Sequence, residues 1–121
     1  MLIARLKVQE DKVDEYLELA EKTDKSVEAS EPGMIHHTFD QDPEDFLRFV
    51  WSIFLKMMMH FLLILLINPP VGDYLEAHAG LIDGEVAIEF YGTVGDKVIE
   101  AMNGSGLPFK VFKTQLGYNR V

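Results

Sequence analysis

Two adjacent histidines, His36 and His37, are the residues of this chain best suited to moving a proton. An imidazole titrates near pH ~6.5, so it takes up or releases a proton at neutral pH. Consecutive residues of a strand project to opposite faces, so this pair cannot hold one metal ion together. At most one ring, His37 or His36, faces a cavity between sheet and helices, where it would serve as a proton acceptor. The plainer alternative makes both of them ordinary strand residues, one exposed and one hydrogen-bonded. His78 reads as a helix-face residue near a helix C-terminus. Trp51, the only tryptophan, shares a strand face with Leu47 and Phe49, and with Phe90 or Tyr91 it would wall an aromatic pocket or pack the core. Arg48, on the opposite face, is an anion contact or a solvated charge. Tyr16 and Tyr74 either hydrogen-bond a ligand or cap the core.

The remaining side chains exclude more than they suggest. The sequence has no cysteine, hence neither a disulfide framework nor thiolate chemistry. No nucleophile–base–acid set or metal-ligand spacing occurs, and neither a metal nor a cofactor is expected. Gly104-Ser105-Gly106 supplies the first two glycines of a dinucleotide fingerprint, but Phe109 stands where the third belongs, so it reads as a loop. Acidic residues outnumber basic ones by 20 to 11, for a net charge of -9, which argues against nucleic-acid binding. With no leader at its start, the chain is expected to be cytoplasmic.

The elements that must position these groups follow from periodicity. Leu2, Ala4, Leu6 and Val8 alternate with Ile3, Arg5 and Lys7, predicting a half-buried first strand. From Asp11, a plausible N-cap, Val13, Tyr16, Leu17, Ala20 and Val27 form a helical stripe that should stop near Ser30, ahead of Pro32-Gly33. Met34 to Gln41 and Phe46 to Ser52 read as a hairpin turning at Asp42-Pro43-Glu44-Asp45. A short helix through Tyr74, Leu75 and His78 ends at Gly80. It is followed by a strand from Val86 to Thr93, a helix from Asp96 to Met102 and a strand from Phe109 to Leu116. This order predicts an α+β fold in one domain of 121 residues, a ferredoxin-like antiparallel sheet with helices on one face. The uncovered face then needs a partner, which points to a homodimer.

One stretch breaks the pattern. From Ile53 to Ile67 the only polar side chains are Lys56 and His60. A helix apolar on every side is normally buried all round or lies in a membrane. A membrane span needs roughly 20 residues, and this run, interrupted at Lys56 and ended by Pro69-Pro70, is too short. The genetic code offers another origin. Met57-Met58-Met59-His60 must be encoded by three ATG codons and a CAY codon, and reading one base earlier forces Asp or Asn, Asp, Asp, Ala. The degenerate bases beyond then permit Phe-Leu-Ala-His-Leu-Ala-Asn, an ordinary amphipathic helix start. The expectation is that residues from about 53 to 67 are an out-of-frame reading.

The start Met1-Leu2-Ile3-Ala4-Arg5-Leu6, Glu31-Pro32-Gly33, the strand Phe49-Val50-Trp51-Ser52, and Asn68-Pro69-Pro70 leading to Tyr74 together resemble the antibiotic biosynthesis monooxygenase family. The resemblance runs from Met1 to about Phe90, leaving residues from about 91 to 121 as an extension with an extra helix and strand. Family members typically have an acidic-x-aromatic step leaving the third strand and an Ala-Phe-x-x-His helix. Ile53 and Leu55 occupy the first position and His60-Phe61-Leu62-Leu63-Ile64 the second, whereas the neighbouring frame restores the helix pattern.

The resemblance implies a dimeric α+β barrel and a cofactor-independent monooxygenase acting on a quinol-like or polyphenolic aromatic. His37 or His36 would be the base, with Trp51, Phe49, Phe90, Tyr91, Tyr74 and Arg48 around the substrate. A non-catalytic small-ligand-binding or stress-associated dimer is the alternative, and haem binding with degradation a further one.

Overall fold

The computed structural model describes residues 1–56, 69–84, 86–118 and 120, with the backbone alone for 69–72. The elements are β1 (Leu2–Lys7), α1 (Val13–Ser30), β2 (Met34–Gln41), β3 (Arg48–Leu55), α2 (Pro69–His78), β4 (Ala87–Tyr91), α3 (Asp96–Ser105) and β5 (Phe109–Phe112). In space the strands run β2-β3-β1-β4-β5, an open five-stranded sheet. The first four pair antiparallel in ferredoxin-like order.

β5 departs from the expected antiparallel pairing and lies parallel to β4, with Ile88 opposite Phe109 and Tyr91 opposite Phe112. The cause is α3. A parallel neighbour requires a crossover, and α3 supplies it, ending at Gly106 with φ of 72°, a left-handed cap that glycine adopts at least cost. The sheet is therefore mixed.

Alternation divides the sheet into two faces. Leu2, Ala4 and Leu6 of β1, Phe49, Trp51, Ile53 and Leu55 of β3, and Phe90 of β4 all face the helices and are buried. Against them pack Tyr16, Ala20, Thr23 and Val27 of α1, Tyr74 of α2, and Val98 and Met102 of α3. Thr23 takes a place in the α1 stripe by donating its hydroxyl to the Leu19 carbonyl (2.8 Å). Leu17, expected in that stripe, is 44% exposed, since it is rotated one position off the buried line. Helix α1 begins at Val13, after Lys12 rather than an Asp11 cap.

β3 is displaced from its expected span. Asp42 and Asp45 side chains accept hydrogen bonds from the Glu44 and Leu47 amides, so the turn absorbs Phe46 and Leu47. At its far end the strand continues through Ile53, Phe54 and Leu55, with Ile53 paired to both Leu2 and His37. The first residues of the apolar run thus complete a strand with the same in-out alternation as the rest of it. Residues 57–67 of that run, His60 among them, lie outside the described residues. Among the described residues no helix is long and apolar enough to cross a membrane.

Candidate functional site

An irregularity in β2 decides which histidine faces the helices. Met34 pairs with Leu55 but His36 pairs with Phe54, so Ile35 is an extra residue in the strand. Strict alternation from Met34 would have turned His36 inward. The bulge inverts the phase, sending His36 to the open face, where its Nε2 meets the Thr38 hydroxyl at 3.2 Å, and His37 to the helix side.

The His37 side chain is only 7% exposed, and both ring nitrogens are bonded. Nε2 lies 2.9 Å from Trp51 Nε1 and Nδ1 lies 2.8 Å from Asp24 Oδ1 on α1. An indole nitrogen can only donate. Nε2 is therefore the acceptor, and the neutral ring carries its proton on Nδ1 and gives it to Asp24. The result is a chain of hydrogen bonds, Trp51 to His37 to Asp24, running from the core outward.

Behind His37 the interior is aromatic. Phe39, on the same face of β2, stacks on Trp51 with ring centres 5.8 Å apart and planes 1° from parallel. Tyr74 leans on both, at 5.1 Å from Trp51 and 5.6 Å from Phe39, and Tyr16 packs 4.9 Å from Phe49. The Tyr16 and Tyr74 hydroxyls meet at 3.0 Å in the buried interior, joining α1 to α2. Burial pushes the Tyr16 phenol up to about 12, with its bond to Tyr74 partly offsetting that rise. Tyr74 is raised further, chiefly by burial and then by Tyr16. His78, its ring 4.9 Å from Tyr74, is held below the ordinary histidine range by burial, opposed by its bond to the Leu75 carbonyl at 2.7 Å. Among the described residues no buried side-chain nitrogen or oxygen lacks a partner.

Two grooves open where this interior reaches the surface, and Asp24 and His37 line both. One, of about 330 Å³, is completed by Val27, Glu28, Glu31, Pro32, Met34 and Ile35. The other, of about 390 Å³, runs past Leu17, Glu21, Phe39 and Asp40. Such volumes lie in the range that takes a small organic ligand. Among the described residues no cluster of His, Asp and Glu could hold a metal ion.

The other residues singled out from the sequence do not all converge here. Trp51 and Tyr74 belong to the His37 interior, with Phe49 buried beneath Tyr16. Phe90 shares that face but is fully buried against Phe109. Tyr91 and Arg48 lie on the opposite face: Tyr91 stacks on Phe112 at 5.0 Å, and Arg48 donates from Nε to Asp45 at 3.1 Å beside a groove of about 510 Å³. Phe39 and Tyr74, rather than Phe90 or Tyr91, wall Trp51. Two residues of the site were not foreseen. Phe39 was available from alternation, two positions after His37. Asp24 flanks the buried stripe of α1, between Ala20 and Val27, and nothing in its spacing distinguishes it from the other acidic residues of that helix.

These features define a small α+β protein with an open ferredoxin-like sheet, a helix-covered aromatic interior, and a carboxylate–imidazole pair at its mouth. Residues 1–52 match the family model described as antibiotic biosynthesis monooxygenase, and the match stops where the apolar run begins. Solved structures share the fold. A protein from Caulobacter crescentus CB15 named "putative antibiotic biosynthesis monooxygenase" superposes with a TM-score of 0.68 and 18% identity, over 72% of this chain and 81% of its own. One of the same name from Nitrosomonas europaea gives 0.64 and 19%, over 70% and 80%. A conserved protein from Methanosarcina mazei Go1 gives 0.66 and 17%, over 72% and 84%. No curated protein matches the sequence. Over residues 1–52 the chain is thus similar to the antibiotic biosynthesis monooxygenase family, and the solved structures share its fold.

Proposed function

We propose that the protein is a cofactor-independent monooxygenase acting on a quinol-like or polyphenolic aromatic, working as a cytoplasmic homodimer closed through the open sheet face. The observation that carries the reading is the Asp24–His37 pair, a proton-accepting unit on rigid elements that lines a ligand-sized groove backed by aromatic rings.

The chemistry needs no electron carrier, because the substrate supplies the electrons. Loss of the phenolic proton leaves an electron-rich phenolate. Its para carbon passes electrons to dioxygen and bonds to it, and the departing proton returns to give a dienone hydroperoxide. Loss of the proton on that carbon and cleavage of the O–O bond then form a second carbonyl and hydroxide, and proton and hydroxide combine. One phenol and one dioxygen become one quinone and one water. The protein's part is to take and return the proton and to exclude bulk water from the ring. His37 is poorly placed to serve as an axial haem ligand, since ligation needs a free ring nitrogen and both of its own are bonded.

Oxygen uptake with a panel of quinols and polyphenols tests the proposal. The expected result is one dioxygen consumed per quinone formed, above autoxidation. Quenching of Trp51 emission by the same compounds without oxygen uptake would favour a non-catalytic binding protein, and a Soret band on adding haemin would favour the haem reading.

A further inference from the structure

We infer that Asp24, not either histidine, is the group that meets the substrate hydroxyl, with His37 and Trp51 acting as positioning residues behind it. The inference rests on the groove assigned above and reverses the direction in which its dyad works.

The geometry supplies the argument. An imidazole acts as a base through an unprotonated nitrogen, and on His37 that nitrogen is Nε2, which already accepts the Trp51 indole N–H at 2.9 Å. Trp51 is 6% exposed and stacked on Phe39, so the indole is held in place by its packing. The other nitrogen carries the proton and donates it to Asp24 Oδ1 at 2.8 Å. His37 thus has no acceptor to offer a ligand. Asp24 does: its side chain is 45% exposed, it lines both grooves, and a carboxylate has lone pairs to spare after accepting one bond from His37.

This arrangement constrains what can enter. The other polar side chains lining the smaller groove beside the pair are the carboxylates of Glu28 and Glu31, while Val27, Pro32, Met34 and Ile35 offer apolar surface to a ring. A ligand there should bring hydrogen-bond donors and carry no negative charge, because an anion would meet carboxylates alone. A carboxylate is also intrinsically a weaker base than an imidazole, so the hydroxyl it deprotonates should be acidified, as when it is conjugated to a ring carbonyl. The substrate class narrows to polyhydroxylated aromatics that carry such a hydroxyl and no negative charge.

Catechol and its dimethyl ether, veratrole, separate the hydroxyl from the ring, and Trp51 emission reads their binding without any need for turnover. The wild-type chain is expected to bind catechol about tenfold more tightly than veratrole, the value of one hydrogen bond to a charged acceptor. In Asp24→Asn, whose amide oxygen still accepts from His37, that preference should vanish. A preference that survives in Asp24→Asn, or one absent from the wild type, overturns the inference. Nitrogen-15 spectra of the His37 ring give a second reading that depends on no ligand: protonated Nδ1 and unprotonated Nε2 in the wild type, moving toward a tautomer mixture in Trp51→Phe. A wild-type ring protonated on Nε2 overturns it as well. Absence of oxygen uptake would remove the monooxygenase reading while leaving both results to stand.

Discussion

The two faces of the sheet are built from the same five strands and reach opposite solutions. On the helix side, rings and aliphatic side chains are packed to completion, and the polar atoms within, the Tyr16 and Tyr74 hydroxyls and the His37 ring, are paired. On the open side, ion pairs such as Arg5–Glu89 at 2.9 Å and Arg48–Asp45 stand among half-buried Ile3, Val50 and Phe54 and the Tyr91–Phe112 stack. Surface ion pairs contribute little to stability, whereas a packed aromatic interior contributes a great deal. The difference teaches that the subunit's stability resides on one face, while the other is the face through which the proposed dimer would close.

The sharpest way to break that contrast is to truncate one ring on each side. Trp51→Ala should cost about 3–5 kcal/mol in urea unfolding, the usual loss for a buried aromatic. Tyr91→Ala should cost the dissociated chain far less, and equal losses would abolish the distinction. Next in size, Tyr74→Phe leaves the Tyr16 hydroxyl buried without its partner and should cost about 1–3 kcal/mol.

The same pair predicts an alkaline limit. Both phenols titrate higher in the fold than in the unfolded chain, so their contribution is complete below pH ~10 and is lost as pH climbs toward the Tyr16 value of about 12. Unfolding followed between pH 9 and 12 checks this, and a flat profile would contradict it.

On the open side, Val50→Asp should change subunit stability by about 0.5 kcal/mol or less, and if the proposed open-face dimer forms it should shift sedimentation velocity toward the monomer, since a charge would enter the half-buried apolar face. The smallest effect belongs to His78. Its folded value is depressed, so stability is complete above pH ~6.5 and declines as pH falls below it. His78→Gln should flatten that acid slope.

Much of this contrast was legible in the sequence. Alternation in Leu2-Ile3-Ala4-Arg5-Leu6-Lys7 assigned the faces of β1, Pro32 fixed the end of α1, and β2 spans Met34 to Gln41 as read. What escaped were features set by single residues acting at a distance. Nothing local announces that Ile35 is bulged, because the extra residue is defined only against Phe54 and Leu55 of the facing strand. The hidden bulge left His36 and His37 equivalent on paper. Asp24 escaped because its importance comes from a histidine thirteen positions away rather than from its place on α1. The parallel course of β5 depends on where α3 delivers the chain, which strand pattern alone does not encode.

The hydroxyl contact between Tyr16 and Tyr74 spans 58 positions of sequence, and that separation has a kinetic meaning. The β2–β3 hairpin can zip from its own short turn, but helix docking through this pair waits until a long stretch of chain has been brought round, at a loop-closure cost that local contacts do not incur. Assembly of the subunit should therefore be limited by the arrival of α2, with Trp51 and Phe39 lacking their Tyr74 cover until it comes.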